Sequence, residues 1–242
     1  MSQSIFDQSM RDAILKLEEV RLMERILIMG GGGFGREIFG YIKNDISSDR
    51  LPKNLQIGVL DDSKNCELIS NNPDALYFGS LENYVPNGTE SIIIAIGSTS
   101  GRLKLFNITK EKRIAFFTYI HPSALVMPDA TLGEGVIICP NAVINAGAKI
   151  EDNVAINVFS SVGHGCTVGS HSVLSPYSAM NGDSSIGSRT FMGTRATIFP
   201  KVSVGCECIV DSHSAVRKSV GDNMIISVRG EYIELKNRFI KS

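Results

Sequence analysis

Four histidines are the side chains of this sequence best suited to acid–base chemistry: His121, His164, His171 and His213. An imidazole exchanges its proton near neutral pH, so a solvent-facing histidine beside a substrate can act as a general base. His164 has such a position, because it is third in a six-residue unit and faces outward directly after a corner of the chain. Gly182 follows 18 residues later and is expected to stack on His164 in the next turn. The alternative is that His164 is a solvated histidine without a catalytic role.

A glycine-rich turn forms a second candidate site. The sequence GGGGFG at residues 30–35 lies between a predicted strand, ERILIM, and a predicted helix, REIFGYIKN. Such a turn lets backbone N–H groups and the helix N-terminus meet a phosphate. A second predicted strand, LQIGVL, ends at Asp61 and Asp62, and an acidic residue in this place can hold a ribose hydroxyl. A tight turn without a ligand is the alternative.

The elements around these glycines predict a small α/β domain. Two further apolar runs, SIIIAIG at residues 91–97 and AFFTYI at residues 115–120, complete a Rossmann-like βαβαβ unit over residues 24–119. This unit is too short for a complete dinucleotide-binding domain, which favours a mononucleotide or a nucleotide-sugar as its ligand.

From Ile120 onward the sequence repeats with a period of six. Every sixth residue is apolar at 17 consecutive positions, although only 43% of the chain is apolar. Chance occupancy of all these positions is on the order of 10⁻⁶. Four places after each member of this series stands a small or β-branched residue. The apolar series consists of Ile120, Val126, Leu132, Ile138, Ile144, Ile150, Ile156, Val162, Val168, Leu174, Met180, Ile186, Met192, Ile198, Val204, Val210 and Val216.

This repeat predicts a parallel β-helix over residues 120–220. Three six-residue strands close one triangular coil of 18 residues, and stacked coils share a narrow interior that branched and small side chains fill. An ordinary β-sandwich with accidental spacing is the alternative. Residues 1–23 are predicted to form a helical extension, with apolar residues at helical spacing from Phe6 to Leu17, and residues 221–242 a C-terminal tail.

The composition limits the classes of partner. The formal net charge of −1 gives no electrostatic basis for binding nucleic acid or an anionic membrane. No apolar run is long enough to span a bilayer, and the first residues lack the features of a signal peptide. Five cysteines without metal-ligand spacing indicate reduced thiols, so we expect a cytoplasmic protein without a bound metal.

Taken together, the two halves resemble the NeuD/PglD-like family of bacterial sugar acyltransferases. The resemblance extends from about residue 25 to residue 220. It rests on the combination of the hexapeptide repeat with several short motifs. These motifs are GGGGFGRE at 30–37, VLDD at 59–62, IAIGSTSGR at 94–102, IHPSA at 120–124 and VGHGCTVG at 162–169.

The resemblance implies a fold, partners and roles for individual residues. It implies that the β-helix is left-handed, and that a homotrimer takes an acetyl group from acetyl-CoA in clefts between subunits. His164 would be the general base and the N–H of Gly182 would receive the thioester carbonyl. Acetyl-CoA would contact Val173, Gly182, Gly193 and Thr194. The nucleotide-sugar would contact Gly30, Gly32, Gly33, Phe34, Gly35, Asp61, Asp62, Gly97 and Arg102.

The sequence departs from this family at two positions near the expected base. Members of the family usually follow the base with a carboxylate, whereas Gly165 stands here, and a second histidine is replaced by Val173. A neutral amine attacks without prior deprotonation and tolerates a weaker base than an alcohol does. The departures therefore favour N-acetylation over O-acetylation. Together with the resemblance, which implies the substrate class, they predict N-acetylation of a nucleotide-linked 4-amino-4,6-dideoxy sugar for surface polysaccharide or glycan synthesis.

Three alternatives remain open on the sequence. The protein could be a sugar O-acetyltransferase of the sialic acid type, or a catalytically weak protein that binds a nucleotide-sugar and stabilises a biosynthetic partner. A zinc hydratase on the same scaffold would need histidines that meet at one interface. His171 and His213 are 42 residues apart, which is not a multiple of the 18-residue coil, so they are expected on different faces.

Overall fold

A computed structural model describes residues 23–228 of the chain. The predicted helix at residues 2–22 and residues 229–242 of the predicted tail lie outside the described residues. Within residues 23–228 no helix is long and apolar enough to cross a membrane.

The first part of the chain is an α/β domain with a five-stranded parallel sheet, in the order β3-β2-β1-β4-β5. The central strands are runs of branched aliphatic residues, and helices cover them, as parallel sheets require. The strands are β1 (Arg25–Met29), β2 (Gln56–Leu60), β3 (Leu76–Tyr77), β4 (Glu90–Ile94) and β5 (Ala115–Phe116). The helices are α1 (Gly33–Ser47), α2 (Glu67–Asn71) and α3 (Thr99–Glu111).

The second part is the predicted left-handed parallel β-helix, built from two-residue strands that form three parallel sheets. Sheet I contains β6 (Tyr119–Ile120), β9 (Ile137–Ile138), β12 (Ala155–Ile156), β15 (Val173–Leu174), β18 (Phe191–Met192), β21 (Ile209–Val210) and β23 (Ile225–Ile226). Sheet II contains β7 (Leu125–Val126), β10 (Val143–Ile144), β13 (Ser161–Val162), β16 (Ala179–Met180), β19 (Thr197–Ile198) and β22 (Ala215–Val216). Sheet III contains β8 (Thr131–Leu132), β11 (Lys149–Ile150), β14 (Thr167–Val168), β17 (Ser185–Ile186) and β20 (Ser203–Val204).

The interior of the β-helix holds both predicted series of side chains. The apolar series forms a continuous buried core, for example at Ile144, Val162 and Met180, which stack in register along sheet II. The small second series lies buried beside it, as at Ser160 and Ser178, whose hydroxyls hydrogen-bond at 3.3 Å. The apolar side chains fill the triangular interior of the β-helix, and the small ones allow its corners to close. Both series are therefore needed.

The β-helix continues beyond residue 220, where the sequence predicted the tail to begin. Strand β23 pairs with β21, so that Ile226 lies beside Val210. A bridge between Val204 and Val220 shows the same offset of 16 residues instead of 18. The last coil is two residues shorter than the others, so a search with a fixed period of six loses the repeat at Asp222.

The α/β domain packs on the outer face of sheet I. The outward residues Ile137, Ala155 and Val173 of this sheet share one buried cluster with Tyr119 and the α/β domain. The hydroxyl of Tyr119 donates to buried Asp45 of α1 at 2.9 Å. Burial and this carboxylate raise the pKa of Tyr119, so the hydroxyl keeps its proton at every physiological pH.

Arg102 of α3 joins the two parts of the chain. Its guanidinium is fully buried and donates to the backbone oxygen and the side-chain oxygen of Asn153, at 2.7 Å each, and to the backbone oxygen of Ile94 at 2.6 Å. Burial lowers the pKa of Arg102 to about 9, which leaves the group charged at neutral pH. The sequence predicted a contact between Arg102 and the nucleotide-sugar. This prediction is wrong, because every polar contact of the guanidinium lies inside the protein.

We expect Arg102→Lys to lower the free energy of unfolding by about 2–4 kcal/mol. A single ammonium cannot replace the planar fork that reaches Asn153 and Ile94 together, so buried oxygens lose their donors. Urea unfolding followed by circular dichroism measures the change. Arg189→Lys is the control, because Arg189 pairs with Glu207 at the surface, where an ion pair contributes at most about 1 kcal/mol. Equal losses in the two variants would contradict the expectation.

Candidate functional site

The glycine-rich turn presents free backbone N–H groups at the start of α1. Gly32 is the N-cap of this helix, with φ −82° and no side chain to cap it. In the part of the chain that the structure describes, the amides of Gly33, Phe34 and Gly35 donate no hydrogen bond. A side chain at Gly32 or Gly33 would meet no atom within 4 Å, so the space in front of the helix is open. Such a helix end suits a phosphate, because the unpaired amides and the helix dipole both favour an anion.

The remaining glycines and Phe34 have packing roles in this turn. A Cβ on Gly35 would lie 1.9 Å from the carbonyl oxygen of Gly30, so the close approach of helix and strand requires glycine. Gly30 has φ +105°, which favours glycine. The Phe34 ring packs in part against the core of the domain.

Asp61 braces the glycine-rich turn from the end of β2. One of its carboxylate oxygens accepts from the N–H of Gly31 at 2.7 Å, and the other accepts from the N–H of Ser63 at 2.9 Å. Asp62 is exposed beside it. Both carboxylate oxygens of Asp61 already accept hydrogen bonds from backbone N–H groups. Of the two predicted carboxylates, Asp62 is therefore the one more available to a ligand.

A cavity of about 170 Å³ opens at the carboxyl ends of β1, β2 and β4. Strand order reverses between β1 and β4, and open α/β sheets bind their ligands at such a switch point. Gly97, exposed and with open space around it, follows β4 near this point. The cavity is lined by Met29, Gly30, Asp61, Asp62, Leu81, Glu82, Ile96, Lys104 and Leu105.

Lys104 and Glu82 are the charged cavity residues that sequence reasoning missed. The Lys104 ammonium lies 3.3 Å from the Glu82 carboxylate, and both side chains are largely exposed. Lys104 is the basic residue of α3 that borders the cavity, in place of buried Arg102. The only sequence signal is its position two residues after Arg102, which by itself does not tell which of the two faces the ligand.

His164 and Gly182 lie together at the corner between sheets II and III. The His164 side chain is 71% exposed. Its ring lies directly over Gly182, because a Cβ added to that glycine would come within 2.4 Å of both Cε1 and Nε2. The predicted stacking of these two residues is therefore present, and glycine is required beneath the imidazole.

The amide of Gly182 is available to a ligand. Its neighbours are used, since the N–H of Asn181 donates to Ile198 at 3.0 Å and the N–H of Asp183 donates to His164 at 2.9 Å. Over residues 23–228 no acceptor is paired with the N–H of Gly182. A free N–H beside an imidazole is the pair that acyl transfer needs: one group to take a proton and another to hold a developing oxyanion.

A single chain does not bring all predicted site residues together. His164 lies at the vertex opposite sheet I, whereas the α/β domain with its glycine-rich turn packs on sheet I. Gly193 and Thr194 lie at another corner, between β18 of sheet I and β19 of sheet II. One chain therefore presents three separate surfaces.

Val173 does not contact a ligand, contrary to the prediction that it binds acetyl-CoA. Its side chain is only 2% exposed and belongs to the cluster between sheet I and the α/β domain. Val173 precedes the inward residue Leu174 in β15, so its side chain lies on the outer face of sheet I. What the repeat does not show is that another domain covers this face.

The other histidines are placed away from this corner. His171 is buried against Phe106, and its Nδ1 lies 3.0 Å from the amide nitrogen of Asn153, where burial lowers the pKa of the imidazole. His121 hydrogen-bonds to Ser123 at 2.9 Å near the domain junction. Among residues 23–228, no group of three or more histidine, cysteine or acidic side chains could hold a metal ion.

Comparison with known proteins gives matches to both parts of the chain. Residues 25–109 match the family described as PglD N-terminal domain. The chain is 33% identical over 121 residues to the UDP-N-acetylbacillosamine N-acetyltransferase of Bacillus subtilis. That match covers 48% of this chain and 51% of the relative, so the aligned segment spans about half of each protein.

Two solved structures share the whole arrangement. The acetyltransferase domain of PglB from Neisseria gonorrhoeae has a TM-score of 0.75 at 23% identity, over 84% of this chain and 95% of that one, and shows the same fold. PerB from Caulobacter crescentus, in complex with CoA and GDP-perosamine, has a TM-score of 0.72 at 28% identity, over 83% of this chain and 92% of that one. Residues 25–109 therefore match the PglD N-terminal domain, and the chain as a whole is similar in fold to PglB and PerB.

Proposed function

We propose that the protein transfers the acetyl group of acetyl-CoA to the amine of a nucleotide-linked amino sugar, a 4-amino-4,6-dideoxy sugar, in a pathway of surface glycan synthesis. The observation that carries the proposal is the pair formed by the exposed His164 imidazole and the free N–H of Gly182. The relatives support the substrate class, since one acetylates a UDP-linked amino sugar and another binds CoA and GDP-perosamine.

His164 and Gly182 divide the chemistry of this transfer. The neutral amine attacks the thioester carbonyl, and the N–H of Gly182 donates to the oxygen that gains negative charge. Nε2 of His164 takes the proton that the amine loses as the new amide bond forms. The carbon–sulfur bond then breaks, and CoA leaves as the thiol with a proton returned from the imidazole.

The α/β domain binds the nucleotide part of the substrate in this proposal. The free amides that begin α1 meet a phosphate, Asp62 meets the ribose, and the cavity at the switch point receives the rest. The ammonium of Lys104 can pair with the other phosphate group of the nucleoside diphosphate. Because phosphate and ribose contacts do not distinguish the nucleobase, the test must include several nucleotides.

The proposal includes a homotrimer with each site between two subunits. In one chain the α/β domain with its glycine-rich turn packs on sheet I, whereas His164 lies at the corner between sheets II and III. A neighbouring β-helix that presents its own His164 corner toward the α/β domain of the first chain would unite them, and closed cyclic symmetry would repeat the contact three times. Thr194 and Gly193 then lie along the cleft where the pantetheine arm of CoA would run.

Release of free CoA thiol from acetyl-CoA tests the proposed reaction. Purified protein is incubated with UDP-, dTDP- and GDP-linked 4-amino-4,6-dideoxy sugars, and with the matching 4-hydroxy sugars and free sialic acid. We expect thiol release with an amino sugar and a product that resists hydroxylamine, because amides survive a treatment that cleaves esters. Activity on a hydroxyl sugar alone, with an ester product, would instead establish O-acetylation. No release with any acceptor would overturn the proposal.

Gly32→Asp should separate folding from substrate binding. An aspartate at the N-cap stabilises the helix by a few tenths of a kcal/mol relative to glycine, and the open space admits it. The same carboxylate occupies and repels the phosphate position, so we expect KM for the nucleotide-sugar to rise about 10-fold or more with Tm unchanged or higher. Gly32→Ser, which caps the helix without charge, is the control. An unchanged KM in Gly32→Asp would place the phosphate elsewhere.

A further inference from the structure

A carboxylate on the coil after His164 is the nearest acidic group to its imidazole. Asp183 Oδ1 lies 3.9 Å from Nδ1 of His164, and within the described part of the chain no other carboxylate comes within 4.0 Å of this ring. The two residues are also joined through the backbone, because the N–H of Asp183 donates to the carbonyl oxygen of His164 at 2.9 Å. This backbone hydrogen bond therefore holds the Cα of Asp183 next to His164.

Two glycines make the space for this pair. A Cβ on Gly182 would overlap the His164 ring, and a Cβ on Gly165 would come within 2.4 Å of Asp183 Oδ1. Gly165 and Asp183 stack at the same corner, two residues before the paired strands β14 and β17. The carboxylate of Asp183 thus lies over the backbone of Gly165 and occupies the volume that a side chain there would fill.

The repeat shows that glycine at residue 165 is not demanded by backbone conformation. Gly165 has φ +65°, but the equivalent residues of other coils adopt the same conformation with side chains, including His171 (φ 63°), Tyr177 (φ 62°) and Asp183 (φ 60°). At residue 165 the space that a side chain would take is instead occupied by the carboxylate of Asp183. Lys201 follows Asp183 at this corner in the next coil, and no salt bridge joins the two within residues 23–228.

We propose that Asp183 is the positioning residue of His164. It accepts a hydrogen bond from Nδ1–H, which fixes the tautomer in which Nε2, over Gly182, carries the lone pair that takes the substrate proton. Asp183 itself neither gains nor loses a proton; the imidazolium that forms is held by its negative charge. The gap of 3.9 Å exceeds a hydrogen bond by about 1 Å, and side chains exposed by 71% and 54% can close it by rotation in the free protein.

This inference rests on the proposed function, but one of its tests does not need activity. Nitrogen chemical shifts of the histidine rings report which ring nitrogen carries the proton. In the wild-type protein we expect the neutral His164 ring mainly as the Nδ1–H tautomer, and in Asp183→Asn a shift toward Nε2–H, which free histidine prefers. His164→Asn identifies the signal. The same tautomer ratio in wild type and Asp183→Asn would overturn the proposal whatever the substrate is.

Kinetics give the second test once an acceptor is known. We expect Asp183→Asn to lower kcat about 3- to 30-fold with KM for both substrates within about 2-fold. A residue that only supported the coil would change Tm and KM and leave the tautomer of His164 in place. Asp129→Asn is the matched control, because Asp129 is an exposed carboxylate at the same corner three coils earlier.

A relocated carboxylate gives the third test. Gly165→Asp alone should crowd Asp183 and lower activity, because the two side chains compete for one space. Gly165→Asp combined with Asp183→Ser should recover at least half of the kcat lost in Asp183→Ser, since the carboxylate again borders His164. If the double variant folds with an unchanged Tm and recovers nothing, the role assigned to Asp183 is wrong.

Discussion

His164→Ala is expected to lower kcat/KM for acetyl transfer by about 10²- to 10⁴-fold. The imidazole is exposed and lies over the free N–H of Gly182, so in the proposed reaction it takes the proton from the substrate amine. Binding should change little, because the phosphate-binding helix end and the cavity lie on the other domain. The loss should therefore fall on kcat, measured by thiol release at saturating acetyl-CoA and amino sugar.

The control for this variant is His213→Ala. His213 is also an exposed histidine at a corner of the β-helix, with φ 62°, but it lies outside the II/III corner that holds His164. It should retain activity within about 2-fold. A loss of less than about 5-fold in His164→Ala would show that the enzyme relies on the N–H of Gly182 and on proximity, and that the histidine is a spectator. Equal losses in both variants would point to a general effect on the coil.

The β-helix was predictable because its sequence requirement is repeated in every coil. In every coil, each strand places one apolar and one small residue in the narrow interior of the β-helix. Because other side chains do not fit there, the requirement repeats in the sequence with a period of six. The prediction failed where the coil itself changes length, at Val220 and Ile226. A fixed period cannot follow a two-residue deletion, although the apolar residues are still present.

The site was predictable only where it depends on local spacing. The stacking of His164 and Gly182 follows from the 18-residue coil, and the glycine-rich turn follows from the strand and helix on either side. Arg102 and Val173 were placed wrongly for a shared reason: both lie at the contact between the two domains, and no local pattern reveals which outward face another domain covers.

Asp183 is a residue near His164 that local spacing in the sequence did not reveal. The sequence neighbour of His164 is a glycine, so a reading along the chain finds no carboxylate for the imidazole. The coil brings Asp183 beside it from 19 residues away, and Gly165 makes the space. A contact across coils is visible in the sequence only once the 18-residue register is applied to polar residues as well as to the apolar series.

The division of the site between subunits leads to the second large expected effect. The His164 corner lies opposite sheet I, and the α/β domain that carries the glycine-rich turn packs on sheet I. If each active site joins one chain's α/β domain to the next chain's His164, a chain impaired in phosphate binding and a chain impaired in proton transfer can complement one another. If the site lay within one chain, they could not.

We expect co-expression of His164→Ala and Gly32→Asp chains in equal amounts to restore about a quarter of wild-type activity, at nucleotide-sugar concentrations below KM. In randomly mixed trimers, about one interface in four combines an intact α/β domain with an intact His164. Wild-type chains co-expressed with chains carrying both substitutions are the matched control. They should also give about a quarter if sites are shared, but about a half if each site lies within one chain. A result near zero for the first mixture and near one half for the second would therefore place the whole active site on a single subunit.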